Sequence, residues 1–225
     1  TPWTIDALAA AASGCDVVVS DRATEAPAAL FERLPRLVAW CRCAVDIRNI
    51  DVAAASAHGI LVTRASAGFM TSVTEWIVGV MIDLARGISD AVLAYRAGQA
   101  PRVAMGRELR GSVLGIVGYG QIGRELAAMA QALGMQVVVC DPHVAVEPGG
   151  PPNRALRDLL AQADFVVCLA VANAETENLF DAPAFAAMKP GACFVNASRG
   201  NLVDEAALRD ALDGGRLAGC AMDVG

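Results

Sequence analysis

No basic cluster occurs anywhere in the 225 residues, and the net charge is −6. Nucleic-acid binding needs Lys/Arg stripes that neutralise phosphates, so this balance argues against a polynucleotide as main partner. No apolar run reaches membrane-spanning length; the most apolar stretch, 73–85, holds Glu75 and Asp83. No signal-peptide pattern stands at the start, and the chain opens on Thr1 rather than Met. Repeats and low-complexity tracts are missing. The seven cysteines build no framework: Cys41 and Cys43 form a lone C-x-C without a second ligand pair, and a disulfide scaffold does not suit a chain this long. Cys15, Cys140, Cys168, Cys193 and Cys220 lie in or beside apolar strand-like runs, where cysteine behaves as a small hydrophobe. A reducing cytoplasm is the simplest setting.

What is present is apolar: 55% of residues are hydrophobic and 19% charged. That supports a sizeable core and excludes general disorder. Short β-rich runs at 16–20, 37–41, 60–63, 113–117, 136–140, 165–169, 192–195 and 217–222 alternate with helical patterns at 28–33, 52–57, 71–97, 122–133, 154–162 and 205–212. Such alternation predicts right-handed βαβ units and parallel sheets, and near-continuous apolar strands fit sheets covered on both faces. The segment 71–97 reads as one long helix, apolar on all sides and therefore buried. It is taken as the crossing between a first domain, 1–70, and a second, 71–225.

The stretch "VLGIVGYGQIGRELAAMAQALGMQVVVCDPH", 113–143, carries the most information. Gly118, Gly120 and Gly123 form G-x-G-x-x-G between a strand and a helix, and a second strand ends in Asp141, 18 residues after Gly123. That context makes a weak motif specific for a dinucleotide. Gly118 permits the tight turn, Gly120 lets the backbone approach a pyrophosphate, and Gly123 lets helix and strand pack closely. The amides of Gln121 and Ile122 would hold phosphate oxygens at the helix start. Asp141 would accept from both ribose hydroxyls and repel a 2′-phosphate, which favours NAD over NADP. The bland alternative is a Gly-rich turn with no ligand, which needs strand, helix and acid to agree by chance.

A second feature is Arg199, a permanent cation at the mouth of the apolar run "ACFV". It is either a surface arginine paired with Asp204 or a ligand-binding arginine at the carboxyl end of a parallel strand. Asp204 itself reads as a helix cap.

"GRELRGSVLGIVGYGQIGRELA", "FAAMKPGACFVNASRGNLVDEAALRDALDGGRLAGCAMDV", "NIDVAAASAHGILVT" and "SVTEWIVGVMIDLAR" together resemble the D-isomer-specific 2-hydroxyacid dehydrogenase family. The resemblance implies an α/β protein: a Rossmann-type doubly wound parallel sheet plus a smaller, incomplete flavodoxin-like parallel α/β domain that handles substrate. It implies an NAD-dependent oxidoreductase interconverting a 2-hydroxy acid and a 2-keto acid, and a homodimer built on the cofactor domain. It implies that Arg199 binds the substrate's carboxylate and carbonyl oxygen, a task suited to a guanidinium fork. By the same resemblance Asp223 holds the nicotinamide carboxamide, Ala197 and Ser198 line the nicotinamide, Thr176 contacts the cofactor, and the loop carrying Ala170 and Val171 borders the adenosine. Ala44, Val45 and Asp46 fall on the loop that receives the substrate carboxylate.

Several departures qualify that resemblance. The family also uses a glutamate shortly after the Asp223 position and a histidine further on; the sequence stops at Gly225, and neither His58 nor His143 matches. The strand and helix that open family members are not visible before "CDVVVS". The expectation is therefore a fragment lacking both ends. The substrate loop, Gly-rich in the family, reads "RCAVDIRNID" here. Asp46 would repel a carboxylate unless Arg42 or Arg48 neutralises it. Val171 stands where the family has proline. Two alternatives remain open: a non-catalytic NAD-binding regulator of the same fold, and a relative acting on formate- or phosphite-like anions.

Overall fold

The structure, a computed structural model, describes residues 3–66 and 68–224. It forms two compact units, Thr1–Gly68 and Phe69–Gly225.

In the first unit, α1 (Ile5–Ala12) leads to β1 (Val17–Ser20), α2 (Ala28–Phe31), β2 (Ala39–Arg42), α3 (Val52–Ala57) and β3 (Leu61–Arg64). The three strands lie parallel in the order β1-β2-β3, with Val18 opposite Trp40 and Trp40 opposite Val62. Trp40 is fully buried, meets Phe31 edge-on at 5.9 Å, and donates its indole N–H to Ser20 Oγ at 2.9 Å. An aromatic ring thus fills the core while its polar edge stays satisfied. Helix α1 corrects the expectation that no helix precedes "CDVVVS". Thr4 caps it through the Ala7 amide at 3.2 Å, and Leu8, Ala9 and Ala12 are buried. The core reading of Cys15 is corrected too, because that residue is exposed.

The second unit begins with α4 (Met70–Arg86) and α5 (Ile88–Arg96). These replace the single helix expected over 71–97. Gly87 takes φ +64 between them, a left-handed conformation that ends a helix and that glycine adopts without penalty. The pair is not buried all round either. Helix α4 buries one stripe, Thr74, Ile77, Met81 and Ala85, and α5 has no buried residue. Then follow β4 (Val113–Val117), α6 (Gln121–Ala132), β5 (Gln136–Cys140), α7 (Leu156–Gln162), β6 (Phe165–Cys168), α8 (Ala182–Ala187), β7 (Ala192–Asn196), a 3-10 turn (Gly200–Leu202), α9 (Glu205–Asp213) and β8 (Leu217–Met222).

All strand pairs of this sheet are parallel, in the order β5-β4-β6-β7-β8. The side chains of β6 and β7 alternate between two cores. Val166, Cys168, Ala192 and Phe194 join Leu159, Phe185 and Leu208 from α7, α8 and α9. Phe165, Val167, Cys193 and Val195 join Ile77 and Met81 of α4 and Leu126 of α6. This two-residue alternation is the pleat at work: one strand feeds both covered faces. The chain runs from β4 outward to β5, then returns past β4 to β6. That reversal makes the carboxyl ends of β4 and β6 the topological switch point, where open α/β sheets place ligands. The architecture is that of a Rossmann-type, doubly wound α/β protein. Among the described residues, no helix is long and apolar enough to cross a membrane.

Candidate functional site

The glycine-rich turn sits at that switch point. Gly118 follows β4 with φ +99, and a Cβ there would lie 2.6 Å from the Ala170 nitrogen and the Leu169 carbonyl. The turn and the segment after β6 therefore touch backbone to backbone, which no other residue type permits. The Leu169 amide bonds the Val117 carbonyl at 2.7 Å, and the Gly118 amide bonds the Cys140 carbonyl at 2.9 Å. A Cβ at Gly123 would lie 2.5 Å from the Gly118 carbonyl oxygen, so the first turn of α6 packs directly on the loop. Gly120 differs: a Cβ there would meet nothing within 4 Å. Open space thus lies over the N-terminus of α6, whose Gly120 cap offers no side-chain hydrogen bond. Uncapped amides of Gln121 and Ile122 with the positive end of a helix dipole behind them suit a diphosphate. The residues present fit the phosphate part of a dinucleotide.

At the end of β5, Asp141 faces this turn. Its Oδ2 accepts the Tyr119 amide at 2.8 Å and its Oδ1 the His143 amide at 2.9 Å. Asn153 brackets it from the far side of a loop, donating to the Asp141 carbonyl at 2.8 Å and accepting its amide at 3.2 Å. Asn153 was not legible in the sequence, because it lies 12 positions away on a Pro/Gly loop.

After β6 the chain is held by side chains of its own loop. Thr176 Oγ1 donates to the Val171 carbonyl at 2.7 Å and accepts the Asn173 amide at 2.9 Å, while Val171 itself is exposed. The Thr176 hydroxyl proton is thereby spent on shaping the loop. Cys168 closes the strand. Burial pushes its thiol up to about 12 against a lesser opposing backbone hydrogen bond from Ala170, so it is a packed neutral group, not a nucleophile.

The end of β7 is organised by a residue absent from the sequence-level site, Asn196. It is fully buried. Its Oδ1 accepts the Ser198 amide at 3.0 Å, its Nδ2 donates to the Arg199 carbonyl at 2.8 Å, and its own carbonyl accepts the Asp223 amide at 2.9 Å. One amide side chain thus fixes the Ala197–Arg199 turn, and its backbone ties the end of β8 to it. Ser198 Oγ donates to the Ala170 carbonyl at 2.5 Å, which joins this turn to the switch-point loop. Ala170, Ala197, Ser198, Arg199 and Asp223 are so brought to one sheet edge. Arg199 is exposed, with one guanidinium nitrogen donating to the Ser198 carbonyl at 2.7 Å. Asp204 caps α9 by accepting the Ala207 amide at 3.0 Å. An asparagine that closes an apolar strand before a Ser-Arg-Gly turn is an Asx-turn signal, and that signal would have found Asn196.

In the first unit, Ala44, Val45 and Asp46 lie on the bend after β2. Arg48, not Arg42, takes the Asp46 carboxylate: its amide and Nε reach Oδ1 at 3.0 and 3.1 Å, and Nε and NH2 reach Oδ2 at 3.2 and 2.9 Å. The hydrogen bond that Arg48 donates to Asp46 raises the Arg48 pKa against a smaller opposing effect of burial. Arg42 is buried and bonds the carbonyls of Asp21 and Thr24 and Asn49 Oδ1 instead. Burial lowers its pKa, with the charges of Asp21 and Asp46 opposing.

Comparison with known proteins places this geometry. Residues 78–225 match the family described as "D-isomer specific 2-hydroxyacid dehydrogenase, NAD binding domain". The chain is 37% identical over 223 residues to a D-3-phosphoglycerate dehydrogenase of Mycobacterium tuberculosis, covering 97% of this chain and 42% of that protein. It is 37% identical over 222 residues to an (S)-sulfolactate dehydrogenase of Chromohalobacter salexigens, covering 96% of this chain and 72% of that one. A crystal structure of D-lactate dehydrogenase from Aquifex aeolicus with NAD and lactic acid superposes with a TM-score of 0.84 at 25% identity, over 96% of this chain and 66% of the other. The chain thus spans about two fifths of the length of the phosphoglycerate dehydrogenase relatives it matches. With a family match that covers the glycine turn, the Asn196 cluster and both sheet faces between them, the chain belongs to the D-isomer specific 2-hydroxyacid dehydrogenase family and carries its NAD binding domain.

Proposed function

We propose that this protein is an NAD-dependent oxidoreductase that interconverts a 2-hydroxy acid and a 2-keto acid. The observation that carries this reading is the Asn196 cluster, which fixes the backbone of Arg199 at the carboxyl edge of the sheet that bears the Gly118–Gly123 cradle. When bound, NAD accepts or returns the hydride. The protein's residues bind and orient. Gly118, Gly120, Gln121, Ile122 and Gly123 hold the diphosphate; Asp141 takes the ribose hydroxyls; Ala170, Val171 and Thr176 border the adenosine side. Ala197, Ser198 and Asp223 serve the nicotinamide, with the Asp223 carboxylate accepting from the carboxamide. Arg199 serves as the catalytic arginine. It binds the substrate carboxylate and carbonyl oxygen and stabilises the negative charge that grows on that oxygen as a keto acid is reduced. Ala44, Val45 and Asp46 meet the substrate's carboxylate end. The test is NADH oxidation by the full-length protein against a panel of 2-keto acids. A catalytic turnover with one of them is expected; none across the panel would refute the reading.

The same reading includes a cytoplasmic homodimer. All seven cysteines are free, which fits a reducing compartment. Ile88 and Leu93 on α5 are 49% and 63% exposed, and Val103 and Met105 beyond it are almost wholly so. Large apolar side chains left this exposed favour burial against a second copy. Sedimentation of the full-length protein as a dimer at micromolar concentration is expected, and a monomer there would contradict it.

A further inference from the structure

The bend after β2 departs from an anion-binding backbone. The alternating form of an anion-binding nest needs residues that switch between right- and left-handed conformations. No glycine stands between Cys43 and Asn49, and among the described residues Asn178 is the sole non-glycine with positive φ. The 44–47 amides therefore do not form such a nest. In its place the loop carries a carboxylate of its own. Asp46 sits on the Arg48 amide and on the Nε/NH2 edge of the Arg48 guanidinium, at 2.9 to 3.2 Å. That side-on, two-point contact is what a guanidinium offers a ligand carboxylate. The pair is accessible, Asp46 being 28% and Arg48 56% exposed in their side chains. Arg42 cannot substitute, since it is buried and both its terminal guanidinium nitrogens are committed to Asp21, Thr24 and Asn49.

We propose that Arg48 is the residue of this loop that reads a substrate carboxylate, and that Asp46 is its internal competitor. A 2-keto acid reaches the Nε/NH2 edge of Arg48 only by displacing Asp46. Affinity for small monocarboxylates is then set by an exchange of one carboxylate for another, and Asp46 determines specificity by holding that affinity down. This rests on the assignment of Ala44–Asp46 to the substrate loop in the hydroxyacid dehydrogenase reading.

The experiment compares wild type with Asp46→Asn and Asp46→Ser in the full-length protein. Both variants keep an oxygen that can accept the Arg48 amide, so the turn survives while the charge is lost. With pyruvate and glyoxylate as probes, KM should fall about tenfold, the worth of one charge-assisted contact. The KM for NADH should not move, and methyl pyruvate, which has no carboxylate, should show no gain. In an Arg48→Gln background the Asp46→Asn gain should vanish, because nothing remains to compete for. Calorimetry with oxamate and NADH reads the same exchange without turnover. Unchanged or weaker pyruvate and oxamate binding in both Asp46 variants would overturn the proposal. An absence of turnover with every keto acid, in wild type and variants alike, would count against the dehydrogenase reading. Oxamate affinity would still decide the competition.

Discussion

Arg199 poses the sharpest choice between a working and an ornamental side chain. Its carbonyl is held by the buried Asn196 and its guanidinium donates to Ser198, while Asp204 serves the α9 cap. Arg199→Lys keeps the charge but loses the two-point fork. NAD affinity should persist, and kcat/KM with the identified keto acid should fall by roughly 2–4 kcal/mol, a factor of about thirty to a thousand. Near-wild-type turnover would remove Arg199 from the mechanism. Asp141 sets the second choice. Its two oxygens are already pinned by the Tyr119 and His143 amides, so the carboxylate cannot swing away from a 2′-phosphate. Repulsion at this half-buried position should weaken NADPH relative to NADH on the order of a hundredfold. Fluorescence titration of both nucleotides checks this, and equal affinities would contradict it.

The β4–turn–α6 unit shows how an element converts local chemistry into a site. Its strand is apolar because both faces are covered, and its helix begins where Gly120 leaves space open. The turn packs backbone against backbone at the sheet edge. Gly118→Ala would force a Cβ to within 2.6 Å of backbone at Ala170 and Leu169, at a φ that L residues rarely take. The substitution should destabilise the protein by about 2–4 kcal/mol and abolish NADH binding in the fraction that folds. Thermal unfolding with and without NADH measures both effects; a wild-type midpoint and a wild-type ligand shift would show the contact to be slack. At the α4–α5 junction, by contrast, apolar residues continue on both sides of Gly87, so the sequence reads as one helix. Only the backbone angle at that glycine separates two. Helices α1 and α8 leave little trace in the linear chain because they are short and Ala-rich, with no polar face to mark a period. What starts each is a single cap, Thr4 or Asp181.

Asp164 joins distant parts of the second unit. Burial pushes its carboxyl up, but the Lys189 hydrogen bond, the Val113 amide and the charges of Lys189 and Arg107 outweigh this and hold it below the ordinary range. The Lys189–Asp164 distance is 2.6 Å. A carboxyl lowered in the folded state adds stability above its unfolded value, near 4, and that contribution is lost as pH falls through the folded value. Lys189 is 40% exposed, so solvent screening limits the contribution to about 1 kcal/mol or less. Asp164→Asn should lower the thermal midpoint at pH 7 and should flatten its fall below about pH 4. An unaltered acid limb would show that Asp164 is not part of the acid response.

The order of the strands, the parallel sheets and the glycine-rich turn were legible in the linear chain, because period, turn chemistry and spacing are local properties that neighbouring residues dictate. The same holds for Arg199 at a strand mouth. Contacts that join residues far apart were not legible. Asn196 carries a local Asx-turn signal, but its tie to Asp223 exists only once folding brings that amide to its carbonyl. Asn153 reads as loop until it closes on Asp141. The choice of Arg48 over Arg42 as the partner of Asp46 depended on which guanidinium the fold buries. In each case several partners were compatible with the sequence, and the geometry of packing, where a buried donor or acceptor must find its complement, selected one.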